Sequence, residues 1–178
     1  MTTKLLDHAR PDLNIIVNQN FQKHPVLLLT CVQQYLDANG WHLNCLNADE
    51  QPNVSMDGMV KTDIGSYRIF FDVIESKDRF SIYVYSPTFV PQAKMELALA
   101  LINHLNQNMF LGKITLNTED GALRSMVTIN TGGTSLSDKI IEAMEYAAIS
   151  AISNAYPCIT ALCFGDSNLE ELLALLDD

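Results

Sequence analysis

Gly132-Gly133-Thr134-Ser135 is a stretch of this sequence whose residue types could hold an anion. It stands between a predicted strand and a predicted helix. In that position, backbone N–H groups and the helix dipole can cradle an anion. No lysine follows, as a phosphate-binding loop would require, so an anion-binding loop at Gly132, Gly133, Thr134 and Ser135 is weighed against a plain strand-to-helix turn. His104 and Cys31 are of the types that form a nucleophile–base pair, but nothing in the sequence brings them together or supplies a third group to orient them. His8, His24 and His42 are scattered, and Cys31, Cys45, Cys158 and Cys163 match no zinc spacing. Cys31 and Cys158 read as small core hydrophobes. A local Cys158–Cys163 disulfide is disfavoured in a reducing compartment. Glu119-Asp120 and Glu170-Glu171 are adjacent pairs of carboxylates, and neighbours on a helix do not share a face. No catalytic residue, metal site or cofactor is therefore assigned, and the chain is read as a non-enzyme.

The elements that carry these residues follow from periodicity. Pro25 suits a first helical position, Leu28, Val32, Tyr35 and Leu36 recur at helical spacing, and Gly40 takes the C′ role. The polar stretch 44–53 reads as a loop. Three strands follow: 54–63, with a possible turn at Asp57-Gly58; 67–74, entered by a turn at Gly65-Ser66; and 80–85, entered by a loop at 76–79 and stopped by Pro87. A second helix runs from about Pro91 to Asn108. Strands 110–117 and 122–130 enclose a hairpin turn at Asp120-Gly121, with Ile114 and Leu116 placed opposite Val127 and Ile129. Ser135 reads as the cap of a third helix, which is expected to end before Tyr156-Pro157. A short helix over 157–164 is broken by Gly165, and Ser167 caps a final acidic helix.

Strands in hairpin-linked blocks predict an α+β domain. The expected architecture is a five-stranded antiparallel sheet with helices on one face, in the order α-β-β-β-α-β-β-α. The chain divides into an N-terminal extension (1–23), the α+β domain (24–165) and an acidic helical tail (166–178).

The second face of this sheet is unexpectedly apolar. Phe70, Ile74, Tyr83 and Tyr85, with Met126, fall in the phase opposite to the core residues. A lone domain would make that face polar. These residues therefore form the candidate surface for a partner polypeptide or a second copy, as a homodimer. Burial beneath the termini is the alternative.

The run Ile102–Asn106, then Leu111–Leu116, Glu119-Asp120-Gly121, and later Ile149–Ile152 with Tyr156-Pro157, resembles the YbjN family of bacterial proteins. The element order is also similar to that of type III secretion chaperones. The resemblance covers about residues 25–165 and rests mostly on apolar positions plus Asn106, Gly112 and Gly121. It implies a regulatory or chaperone-like protein and transfers no catalytic residue. A small-ligand sensor or enzyme built on the Gly132–Ser135 loop is the alternative function.

The chain has 178 residues, 48% of them apolar, and a net charge of −10. Those values fit a globular domain and exclude disorder. The acidity argues against nucleic acid and anionic membranes as partners. No secretory signal is read at the start and no run approaches membrane-spanning length, so a cytoplasmic location is expected. The negative charge is concentrated after residue 118, which predicts an acidic helical end and a nearly neutral aromatic sheet. A basic partner, if there is one, would dock near the third helix and the acidic tail.

Overall fold

The computed structural model describes residues 28–47 and 53–176. The expectations for the 1–23 extension, for a helix start at Pro25, and for His8, His24, Asp177 and Asp178 lie outside those residues.

Helix α1 (Leu28–Ala38) buries Leu28, Leu29, Cys31, Val32, Tyr35 and Leu36 along one stripe. Gly40, at φ +69°, ends it. The Gly40 N–H donates to the Asp37 carbonyl at 3.2 Å and the Trp41 N–H to that of Leu36 at 3.0 Å. This paired pattern closes a helix through a left-handed residue. The strands are β1 (Asn44–Cys45), β2 (Asn53–Thr62), β3 (Gly65–Ile74), β4 (Arg79–Phe89), β5 (Lys113–Leu116) and β6 (Ala122–Asn130). They form one antiparallel sheet in the order β1-β2-β3-β4-β6-β5. The sheet therefore has six strands, not five. The additional one is the two-residue β1, which arises inside the stretch expected to be a loop.

Several boundaries differ from expectation. Asp57-Gly58 is not a turn: β2 runs straight through and pairs with β3 over ten positions. Gly58 leaves room for a neighbouring side chain, since a Cβ there would lie 2.5 Å from Leu43 Cδ2, which would have to move. The β2–β3 turn falls at Asp63-Ile64, one step before Gly65. Residues 75–77 form a 3-10 turn closed by Asp78 in the left-handed region. Pro87 does not end β4; it sits in a break of register between Tyr85 and Phe89, where its missing N–H is tolerated. Pro91 is extended, a 3-10 turn follows at Gln92–Lys94, and helix α2 begins only at Met95, ending at Gln107. Strand β5 is shorter than expected, which leaves Phe110 fully exposed. Ile114 lies opposite Ser125 and Leu116 opposite Leu123, a shifted pairing that still keeps Ile114 in the core.

Helix α3 (Asp138–Phe164) is the largest correction. It continues unbroken through the exposed Pro157, although proline removes a helical donor and crowds the carbonyl four residues earlier. Ala155, Cys158, Ile159 and Leu162 are all buried, so core packing holds the helix on both sides of the proline. The helix is long and apolar enough to cross a membrane, yet Ile141, Met144, Ala148 and Ile152 are buried against the sheet and the other helices. Its cap is Ser137, not Ser135, and no side-chain hydrogen bond closes it. Helix α4 (Leu169–Ala174) is capped by Asn168, not Ser167. Asn168 and Glu171 exchange side-chain bonds at 3.1 and 2.9 Å. Leu172 in α4 is fully buried.

The helices cover one face of the sheet, where Tyr67, Ile69, Phe71, Val73, Phe80, Ile82 and Val84 are almost wholly buried. Buried Ser125 of β6 donates to the Ala148 carbonyl of α3 at 2.6 Å, fixing helix to sheet. The Leu29 N–H of α1 donates to Glu75 Oε1 at 2.6 Å, so the turn after β3 holds the first turn of α1.

Candidate functional site

The opposite face of the sheet is built by strand alternation. Register places Met59, Arg68, Tyr85, Arg124 and Thr115 side by side in one row. The next row is Asp57, Phe70, Tyr83, Met126 and Lys113. Phe70, Tyr83, Tyr85 and Met126 are thus brought together, each half-buried. Ile74 is also half-buried but lies two rows away, opposite Arg79.

Two arginines interleave with the rings. Arg68 stacks over Phe70, its guanidinium carbon 4.7 Å from the ring centre, and Arg124 stacks over Tyr83 at 4.8 Å and Tyr85 at 5.7 Å. Phe70 and Tyr85 meet edge to face at 5.2 Å. Arg68 is also paired with the buried Asp57 carboxylate at 2.7 Å. Arg124 is held differently. Its Nη1 donates to Tyr85 Oη at 2.8 Å and its Nε to Thr115 Oγ1 at 3.3 Å. Beside it lies a cleft of about 250 Å³ lined by Tyr85, Thr115, Leu116, Asn117, Asp120, Ala122 and Arg124. Asp120 is engaged within its own turn, accepting from the Ala122 N–H at 2.9 Å.

The strands of this face carry more cations than carboxylates, within a sheet whose turns add Asp63, Glu75, Asp78, Glu119 and Asp120. Lys61, Arg68, Arg79, Lys113 and Arg124 stand on the strands against two carboxylates, Asp57 and Asp72. Asp72 accepts a hydrogen bond from the Ser55 hydroxyl. The helical side carries the reverse balance, with Asp37, Glu96, Asp138, Glu142, Glu145, Asp166, Glu170 and Glu171 against Lys94 and Lys139. Among the described residues the strands and the helices are therefore opposite in charge balance, and two of the cations, Arg68 and Arg124, lie against the rings. The alternation of Arg68 with Phe70, and of Arg124 with Met126, was the sequence signal for this arrangement. Reading only the apolar members of that phase missed it.

The other candidate residues stay apart. His104 is exposed on α2, Cys31 is buried in α1, and His42 is exposed before β1. The cysteines among the described residues are free. The Gly132–Ser135 loop puts both glycines at positive φ. The Gly132 N–H donates to Asn130 Oδ1 at 2.9 Å and the Thr134 N–H to the Thr131 carbonyl at 3.1 Å. Helix α3 starts three residues beyond Ser135.

On the helical side, Tyr35 Oη donates to Glu145 Oε2 at 2.8 Å. Burial pushes the Glu145 carboxyl above its ordinary range, against the opposing hydrogen bond from Tyr35. Burial and this carboxylate push the Tyr35 phenol upward. A shallow apolar groove of about 270 Å³ lies between α2 and α3, with exposed Leu111 and Tyr146 at its rim.

Three residues that carried the family resemblance have structural reasons. Asn106 bonds both backbone groups of Ile114. Gly112 and Gly121 have φ of +82° and +78°, and a Cβ on Gly121 would lie 2.2 Å from the Val90 carbonyl oxygen.

No curated protein matches the chain. Its fold is similar to that in the crystal structure of YbjN from E. coli, described as "a putative transcription regulator". The two share 16% identity with a TM-score of 0.50, over 72% of this chain and 91% of that one. Residues 29–161 match the family model for YbjN, described as "Putative bacterial sensory transduction regulator". By that match, over most of its length, the chain belongs to the YbjN family.

Proposed function

We propose that the chain is a regulatory protein-binding module, without catalytic chemistry of its own, that engages a polypeptide through the face of its sheet left open by the described helices. The observation that carries this reading is the arginine–aromatic lattice of Arg68, Phe70, Tyr83, Tyr85 and Arg124 on that face. Tyrosine and arginine are the residues enriched where protein surfaces bind strongly. Here the sheet register fixes them in place, so little side-chain freedom is lost on docking. The regulatory description of the family supports the reading in its general form.

Site-specific photo-cross-linking tests it. A benzophenone amino acid replaces Tyr83 on the open face or, in a second protein, the exposed Asn103 on α2. After irradiation in bacterial lysate, discrete protein adducts are expected from position 83 and not from position 103. Adducts confined to position 103, or none from position 83, would overturn the proposal.

A further inference from the structure

We infer that the occupant of the open face is an acidic polypeptide segment, with two carboxylates about 10 Å apart flanking an apolar side chain. This rests on the reading of that face as a protein-binding surface and names the class of partner.

The first ground is charge. The strands of this face hold five cations against two carboxylates, with Asp120 a third carboxylate in the cleft beside Arg124, in a protein whose net charge is −10. Asp57 is already neutralised by Arg68. The surplus positive charge is thus carried by Arg124, Lys113 and Lys61, together with Arg79 at the far end.

The second ground is the state of Arg124. Tyr85 and Thr115 fix its guanidinium through neutral oxygens, and among the described residues no carboxylate forms an ion pair with it. A guanidinium held flat by neutral partners keeps its full charge and offers its remaining N–H groups in a fixed fork, the geometry that receives a carboxylate.

Spacing gives the third ground. Arg68 and Arg124 flank Tyr85 across three neighbouring strands. At about 4.8 Å per strand, their attachment points are about 10 Å apart. Arg68 is bonded to Asp57 through Nε and Nη2, but its side chain is 55% exposed, so Nη1 is the donor it offers a second carboxylate. A polyproline II segment rises about 3.1 Å per residue with about three residues per turn, so carboxylates three residues apart lie on one face about 9 Å apart and match the two arginines. The residues between them would lie over Tyr83, Tyr85 and Met126.

Single-stranded nucleic acid is the competing polyanion, since it stacks bases on exposed rings. The rings here are poorly disposed for that. Arg68 covers Phe70, Arg124 covers Tyr83, and Phe70 meets Tyr85 edge-on. The acidic helical layer lies about 10 Å or more beyond the sheet, roughly a Debye length at physiological salt. A short segment with few charges escapes its repulsion more readily than a long polyanion.

The test uses the full-length protein and fluorescein-labelled 14-residue probes read by anisotropy at low salt. One probe carries Glu at every third position among Leu, Phe and Ser; a second carries Gln in place of each Glu; a third is oligo(U). The Glu probe is expected to bind about tenfold more tightly than the Gln probe, and to weaken as salt rises. Arg124→Gln should reduce Glu-probe affinity about fivefold and Gln-probe affinity by a clearly smaller factor, while Lys139→Gln, on α3, should change neither. Circular dichroism of each variant establishes that it is folded. Equal affinity for the Glu and Gln probes overturns the acidic class and leaves the protein-binding reading standing. Tighter binding of oligo(U) overturns it in favour of nucleic acid. Failure of the Glu probe to bind, with position-83 cross-links still present, also overturns the acidic class. Failure of both experiments removes the protein-binding reading itself. Concentration-dependent self-association abolished by Arg124→Gln would replace the partner segment with the acidic helical side of a second copy.

Discussion

The Asn106 side chain of α2 forms a two-bond ring with the backbone of Ile114 in β5. Its amide donates to the Ile114 carbonyl at 2.9 Å, and its oxygen accepts from the Ile114 N–H at 2.7 Å. A side chain thus stands where a further strand would, and joins the helix to the sheet.

Asn106→Ala leaves both of those backbone groups without a protein partner. The expected loss is about 1–3 kcal/mol, read as a lower urea midpoint at unchanged m-value. A shift within error of zero would mean that water replaces the amide without penalty.

Glycine substitution should separate backbone strain from steric collision. Gly121 and Gly132 both have positive φ, but a Cβ on Gly121 meets the Val90 carbonyl oxygen while one on Gly132 meets nothing within 4 Å. Gly132→Ala should therefore lose only the left-handed backbone term, about 1 kcal/mol. Gly121→Ala should lose at least about 2 kcal/mol more, or fail to fold. Equal melting temperatures for the two variants would refute the distinction.

Pro157→Ala should stabilise the protein. The residue is exposed, so no packing is lost, and the new N–H can donate to the Ser153 carbonyl inside α3. The gain should be about 1–3 kcal/mol, after the loss of proline's restriction of the unfolded chain is subtracted. Thermal unfolding of the two proteins side by side gives the answer, and a fall in melting temperature would show that the helix is shaped by its proline.

Glu145 supplies a pH signature. Its carboxyl is raised in the folded state, chiefly by burial, so the folded protein binds this proton more tightly than the unfolded chain does. The stability contributed by protonated Glu145 is full below the unfolded value of about 4.3 and is lost as pH rises through the raised folded value. Glu145→Gln keeps an acceptor for the Tyr35 hydroxyl and removes the titration. The variant should gain stability relative to the parent at pH 7, with the difference shrinking toward pH 4. A pH-independent difference would place the cause elsewhere.

Much of this structure was legible in the sequence where periodicity is strong. Tyr67, Ile69, Phe71 and Val73 alternate cleanly, and β3 lies where they place it. The sequence also marks Gly40 as the stop of α1, and the left-handed closure there agrees. Proline misled twice. Local rules end a strand at Pro87 and a helix at Pro157, but a register break absorbs the first and core packing overrides the second. Strand β1 was illegible because two residues carry no periodicity. The candidate face was half legible: alternation selects Phe70, Tyr83, Tyr85 and Met126 and puts Arg68 beside Phe70 on one strand, whereas the stacking of Arg124 on Tyr83, a residue on another strand, depends on the β4–β6 register, which the hydrophobic pattern does not encode.

The shortness of β1 and β5, two and four residues, also governs how this sheet meets other sheets. An edge exposing a long row of unpaired amides templates the addition of foreign strands and, in the extreme, fibril growth. Here one margin ends in a two-residue stub, beyond which Lys61 projects as a charged gatekeeper. At the other margin, Asn106 already occupies the outward-facing amide of Ile114. Edge-to-edge pairing of copies is therefore confined to the short reach of β2 beyond β1, residues 58–62, where the Lys61 charge opposes it.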